Sequence, residues 1–273
     1  MQQGIKMKLL TLSALLLAST TAMAANYQTL GSINYLKLNN DVVHSDTYGA
    51  SLRYFLNKKT SLGPLDEFEY INKTSNIYGG FGDGNNANAY QVGGELFVNK
   101  WLVGGSYNYL DKDNGNDDAY SLKLGYLISD NLLVKAQAMH NNGDTLYNFS
   151  AAYNVQLNNQ DYIGFTYNTD DKFNAQTISS KYFAALGNNN FLTAGLSYTK
   201  NDNSGDDLMA SVGYYFTPNT SVSASYNDND DYTIGAKHYF NKNYALGVGY
   251  SSNASANDIE DYDLYSVNFT AQF

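Results

Sequence analysis

The sequence predicts an all-β chain that closes as a transmembrane, antiparallel, up-and-down barrel. Three observations carry that reading. After Ala25 nearly every segment alternates apolar and polar residues with a period of two, as strands with two different faces do. The connections alternate in kind, short neutral turns taking turns with acidic ones. The aromatic residues, dominated by 26 tyrosines in 273 residues, gather at the ends of the apolar faces.

Composition removes the main competitors. Hydrophobic residues make up 43% and the mean hydropathy is negative, whereas a transmembrane helix bundle needs several apolar runs of about 20 residues. A formal charge of −10 supplies no basic field for nucleic acid. With no cysteine there is no disulfide scaffold, thiolate metal site or thiol nucleophile. The wealth of aromatics argues for an ordered chain.

The first 24 residues read as a signal peptide starting at Met7. Lys8 charges its n-region, Leu9 to Ala18 is too short to span a bilayer permanently, and Ala22-Met23-Ala24 puts small residues before a cleavage site. Residues 25–273 then form a single barrel domain. Its strands fall at roughly 27–38, 47–57, 74–83, 89–98, 101–110, 119–128, 132–141, 146–157, 161–169, 175–186, 191–200, 208–217, 220–227, 231–240, 243–252 and 262–273. Fourteen is the alternative count, because the first hundred residues alternate less cleanly. At about ten residues each and tilted, such strands match the height of a membrane-spanning wall.

The last strand shows the pattern most plainly. Tyr265, Val267, Phe269, Ala271 and Phe273 share one face, and Leu264, Ser266, Asn268, Thr270 and Gln272 the other. The short connections include Asn99-Lys100, Asn158-Asn159-Gln160, Thr217-Pro218-Asn219 and Asn241-Lys242. The acidic ones are Asp111 to Asp118, Asp170-Asp171, Asp202 to Asp207, Asp228 to Asp231 and Asp258 to Asp263. Both prolines, Pro64 and Pro218, fall in connections, where no ladder hydrogen bond is lost.

The apolar face is assigned to lipid. Tyr109, Tyr147, Tyr167, Tyr198, Tyr226 and Tyr250 form a girdle near the acidic connections. Trp101, Tyr126, Phe216, Phe240 and Tyr244 form a second near the short turns. A soluble sandwich would need a dense aliphatic core. Here the opposite face is Ser, Thr, Asn, Gln and Gly, which suits a wet lumen, and closure removes the sheet edges that hydrocarbon forbids. In mid-strand, the same alternation turns Arg53, Lys123, Lys135, Lys181 and Lys237 inward, opposed by Glu95 alone.

With its ending Asn268-Phe269-Thr270-Ala271-Gln272-Phe273, the chain resembles the outer-membrane barrels of Gram-negative bacteria. Within them it looks like the general bacterial porins, to whose first periplasmic connection Gly63-Pro64-Leu65-Asp66-Glu67 and Asn72-Lys73-Thr74-Ser75-Asn76 are similar. The resemblance implies an outer-membrane location among lipid and lipopolysaccharide. It also implies that the barrel-assembly machinery reads the terminal strand, with Tyr265, Val267, Phe269 and Phe273 as the signal. One departure stands out. Many general porins fold a long third loop into the lumen, and no acidic loop here exceeds about ten residues, which puts a loop constriction in question.

A barrel of 16–18 strands leaves an aqueous channel, so the expected function is passive diffusion of small hydrophilic solutes and ions. The alternative is a non-conducting surface barrel, an adhesin or binding protein using its acidic loops, though short loops count against it. No enzyme is expected. His44-Ser45-Asp46 compresses a triad into neighbours that point apart, and His140 and His238 stand alone. Gly79 to Gly84 is followed by no helix to bind phosphate. Asp202 to Asp207 and Asp228 to Asp231 are rich in oxygen but lack the calcium-loop register, so a solvated acidic rim is expected, with no metal or cofactor. Homo-oligomerisation is left open.

Overall fold

The computed structural model describes residues 26–40, 44–253 and 262–273. The signal peptide expected at 1–24 lies outside the described residues, as does most of the acidic stretch from Asp258. The alternation resolves into sixteen strands: β1 (Tyr27–Asn39), β2 (His44–Lys59), β3 (Asn76–Gly84), β4 (Ala87–Val98), β5 (Trp101–Lys112), β6 (Gly115–Ser129), β7 (Leu132–Asn141), β8 (Asp144–Gln156), β9 (Tyr162–Asp170), β10 (Ala175–Gly187), β11 (Asn190–Asn201), β12 (Asp207–Thr217), β13 (Thr220–Asn227), β14 (Asp231–Tyr239), β15 (Tyr244–Asn253) and β16 (Tyr262–Gln272). Neighbours in sequence pair antiparallel, and β16 returns to β1, so the sheet closes on itself.

The period of two fixes the faces. On β6, Leu122 is 69% exposed on the outer wall while the adjacent Ser121 is 5% exposed on the inner one. At the seam, Ile33 pairs with Phe269 outside, and Ser32 and Asn34 pair with Thr270 and Asn268 inside. The Phe273 backbone closes the ring: its N–H donates to the Thr29 carbonyl at 2.9 Å and its carbonyl accepts from the Thr29 N–H at 2.8 Å.

Both termini and the short turns share one end, here the terminal end, and the acidic connections share the other. The strands run further toward the acidic end than the alternation suggests. Asp111, Asp117 and Asp118 stand on β5 and β6, which leave only Asp113-Asn114 between them. The reason is local turn chemistry. Asn142-Gly143, for example, takes φ of 51° and 92°, the pair of positive values a two-residue hairpin needs.

One connection breaks the pattern. Between β2 and β3 the chain leaves the wall and packs into the terminal end of the lumen. The buried apolar clusters of the described residues all gather around it. Leu65 packs with Tyr239 and Ala245, Phe68 against Tyr27, Leu30 and Phe55, and Ile71 with Leu102, Leu127 and Leu133. Leu62 and Tyr70 pack against Tyr162, Phe183, Phe191 and Tyr215. Full burial of a side chain such as Leu65 or Ile71 contributes about 1.5–3 kcal/mol each, so this connection is held as firmly as a core element.

Candidate functional site: the lumen and the segment across it

The crossing segment is pinned at both ends. At its start the Leu62 N–H donates to the Glu67 carbonyl at 2.9 Å, closing a tight excursion whose tip reaches the far wall. There the Leu65 N–H donates to the Pro218 carbonyl at 2.9 Å. Gly63 permits this excursion in two ways. Its φ of 143° suits glycine, and a Cβ there would lie 2.5 Å from the Phe191 ring. At its end, Lys59 Nζ donates to Asn72 Oδ1 at 2.8 Å, and Ser75 Oγ accepts from the Phe97 N–H at 2.8 Å. On β9 the Tyr70 ring fills the space over Gly164 and shares a hydrogen bond of 2.6 Å with Thr166 Oγ1.

The sequence-derived lumen charges lie on two stretches of inner wall. On β2 to β7, Lys123 Nζ donates to Glu95 Oε1 at 2.6 Å, Lys135 lies within electrostatic reach of both, and the Arg53 guanidinium sits 4.8 Å from the Tyr78 ring centre. On β10 and β14, Lys181 Nζ donates to both oxygens of Glu67 at 2.7 and 2.8 Å, and Lys237 Nζ lies 3.5 Å from Asp66 Oδ2. The Tyr215 hydroxyl also donates to Glu67, at 3.0 Å. Besides Glu95, the mid-strand acid, the crossing segment brings Asp66 and Glu67 into the lumen, acids that strand alternation does not address. Burial holds the Glu67 carboxyl above the usual carboxylate range, with Lys181 pulling it the other way.

The doubt about a constriction concerned the acidic loops; the connection that does enter the lumen, between β2 and β3, comes from the terminal end. The signal was present in the sequence. Leu62, Leu65, Phe68, Tyr70 and Ile71 are too many apolar residues for a solvated connection. Beyond the segment, the inner wall of β10 to β16 encloses a cavity of about 790 Å³. Ser179, Ser197, Ser211, Ser223, Thr233 and Ser266 line it, with Asp66, Lys181 and Lys237 at its floor.

The girdle residues stand on the outer wall, including Trp101, Tyr147, Phe216, Tyr226 and Phe240, each exposed. Trp101 packs on Tyr126 with ring centres 4.7 Å apart, and Tyr109 on Tyr90 at 6.2 Å. Tyr198, Tyr226 and Tyr250 donate to Asp206, Asp230 and Asp263 at 2.5 to 2.6 Å, tying girdle to acidic rim. Tyr167 donates instead to Gln176, and Tyr244 lies near Phe269 and Phe273. Tyr265, Val267, Phe269 and Phe273 all face outward. The histidines are dispersed. His44 lies 3.4 Å from Asn39, His140 bonds Thr145 and His238 bonds Thr220, while Asp46 accepts from Tyr35.

A closed barrel with a lipid-suited outer wall and a hydroxyl-lined hollow inside defines a channel-forming outer-membrane protein. The family model described as "Putative general bacterial porin" matches residues 5–273, and the chain belongs to that family. Solved structures of similar fold include the Acinetobacter baumannii outer membrane protein Omp33, 17% identical over 91% of this chain and 99% of that one, with a TM-score of 0.57. A mutant of the Rhodopseudomonas blastica porin is 15% identical over 90% and 99%, with a TM-score of 0.53. Pseudomonas aeruginosa OpdQ is 8% identical over 92% and 99%, with a TM-score of 0.52. No curated protein matches the chain. The chain is an outer-membrane porin, a passive channel for small hydrophilic solutes.

Proposed function

We propose that solutes enter from the acidic end, which faces outside, pass along the hydroxyl-lined hollow, and meet their narrowest zone where residues 60–75 cross. The terminal end then faces the periplasm. The observation that carries this reading is the cavity itself, studded with serine and threonine hydroxyls, bounded by paired backbone and floored by the segment. The acids of the segment cancel Lys181 and Lys237, so the uncancelled positive charge lies on the β2 to β7 wall: Arg53, Lys123 and Lys135 against Glu95. Charges on a narrow wall act at short range, while those at the mouth are screened beyond about 8–10 Å at physiological salt. Anions are therefore preferred in concentrated KCl, with a drift toward cations on dilution.

The barrel does no catalysis, its terminal strand serves as the assembly signal, and its rim meets lipopolysaccharide. A non-conducting surface barrel is not favoured. The test is conductance and reversal potential in planar bilayers. Discrete channels with weak anion preference, lost in K123Q/K135Q, are expected. A folded chain that stays silent even with residues 62–71 replaced by a glycine-serine linker would refute conduction.

A further inference from the structure

The two acids of the crossing segment occupy a site that the wall has built. Asp66 and Glu67 are consecutive residues, yet each is met by a lysine from a different strand, Lys237 on β14 and Lys181 on β10. The Tyr215 hydroxyl completes the Glu67 contacts, and the Tyr239 hydroxyl, close to Lys237, is buried without a hydrogen-bond partner. Both lysines and Tyr215 line the 790 Å³ cavity, which extends from them toward the acidic end.

Anchoring does not require these acids. Buried ion pairs return little stability after desolvation, and apolar clusters already seat the segment. What the acids do is neutralise two wall lysines that otherwise face a hollow open to solutes. The excursion presents two carboxylates, one to each lysine, as a dicarboxylate would, and Ser179, Ser211 and Ser221 of the same cavity can satisfy the remaining lone pairs.

We propose that Lys181 and Lys237 form a binding site for short-chain dicarboxylates, which Asp66 and Glu67 fill from within, and that an entering dicarboxylate replaces them and unseats the excursion at residues 62–67. This rests on the reading of the hollow as the solute path. The site recognises charge number, one carboxylate to each lysine, so a monocarboxylate or an uncharged sugar competes poorly.

The test is calorimetric titration of the detergent-folded full chain with succinate at constant ionic strength, with acetate and sucrose as controls. The D66N/E67Q variant should bind succinate about tenfold tighter than the unmodified chain, because its internal competitors are gone. K181Q/K237Q should lose binding, and K181R/K237R should keep it, which separates lost charge from a damaged fold. Equal affinity in the unmodified chain and D66N/E67Q, no binding in D66N/E67Q, or acetate matching succinate would each overturn the site. Bilayer conductance tests the channel separately: a chain that binds succinate as stated but never conducts loses only the channel reading.

Discussion

Replacing Gly164 by alanine should unseat the crossing segment without touching a charge. A Cβ at this position would lie 2.3 to 2.4 Å from the Cγ, Cδ2 and Cε2 atoms of Tyr70, against an optimal carbon separation of about 3.5–4.0 Å. The backbone of β9 is not free to retreat, because Gly164 is paired with Asn154 on one side and Lys181 on the other. The Tyr70 ring must therefore leave, giving up its 2.6 Å bond to Thr166 and its packing on Tyr162. Overpacking costs about 1–3 kcal/mol and the lost hydrogen bond about 1 kcal/mol more. The seated state then loses about 2–4 kcal/mol, or about 30- to 900-fold in its equilibrium against the unseated state. Single-channel recording reads this as time spent at the larger conductance, and heat-modifiable gel mobility reports that the barrel is intact. In Y70A the added Gly164→Ala should change nothing further, because the clash has gone. Strictly additive effects of the two substitutions, or G164A traces indistinguishable from the unmodified channel, would refute the reasoning.

Acidification should favour the seated segment. The Glu67 carboxyl is raised above its ordinary value by burial, so the seated state binds a proton more readily than a state in which Glu67 meets water. The open fraction should fall as pH drops through the raised value toward the ordinary carboxylate range, and Glu67→Gln should flatten the profile; opening on acidification of the unmodified channel would contradict this. A protease site inserted at Gly115 or Gly205 should be cut on intact cells while one at Asn159 is spared, and the reverse pattern would invert the topology. Deleting Phe273 removes the backbone bonds to Thr29 and the ring contact with Tyr244, and should lower the yield in the outer membrane without changing the conductance of each assembled channel. Unchanged yield would remove its role as an assembly signal.

The strands were legible because each inner and outer residue answers a local question, lipid or water, that repeats every second position. Lys123 and Leu122 declare their faces within three residues of sequence. The turns were nearly as plain, although most of the stretch from Asp111 to Asp118 proved to be strand, since pairing continues until Asn or Gly makes a tight reversal. The crossing segment was not legible in the same way. Its acids meet partners far along the chain, Lys181 at a separation of 114 residues and Tyr215 at 148. Local alternation has no term for such contacts. Only the excess of apolar residues from Leu62 to Ile71 hinted that this stretch had somewhere dry to go.

That stretch also sets a clock. The chain emerges from its N-terminus, and the partners of Leu65 and Glu67 belong to β10 through β15, made late in the chain. Until those strands are in place, Leu62 and Leu65 have no complete surface to cover them, although Phe68 and Ile71 can already meet β1, β2 and β5 to β7. A half-built wall would leave this early segment exposed in transit, sticky and in need of escort. Its full docking needs β10 through β15 in place, so a seated segment certifies a wall built almost to its last strand.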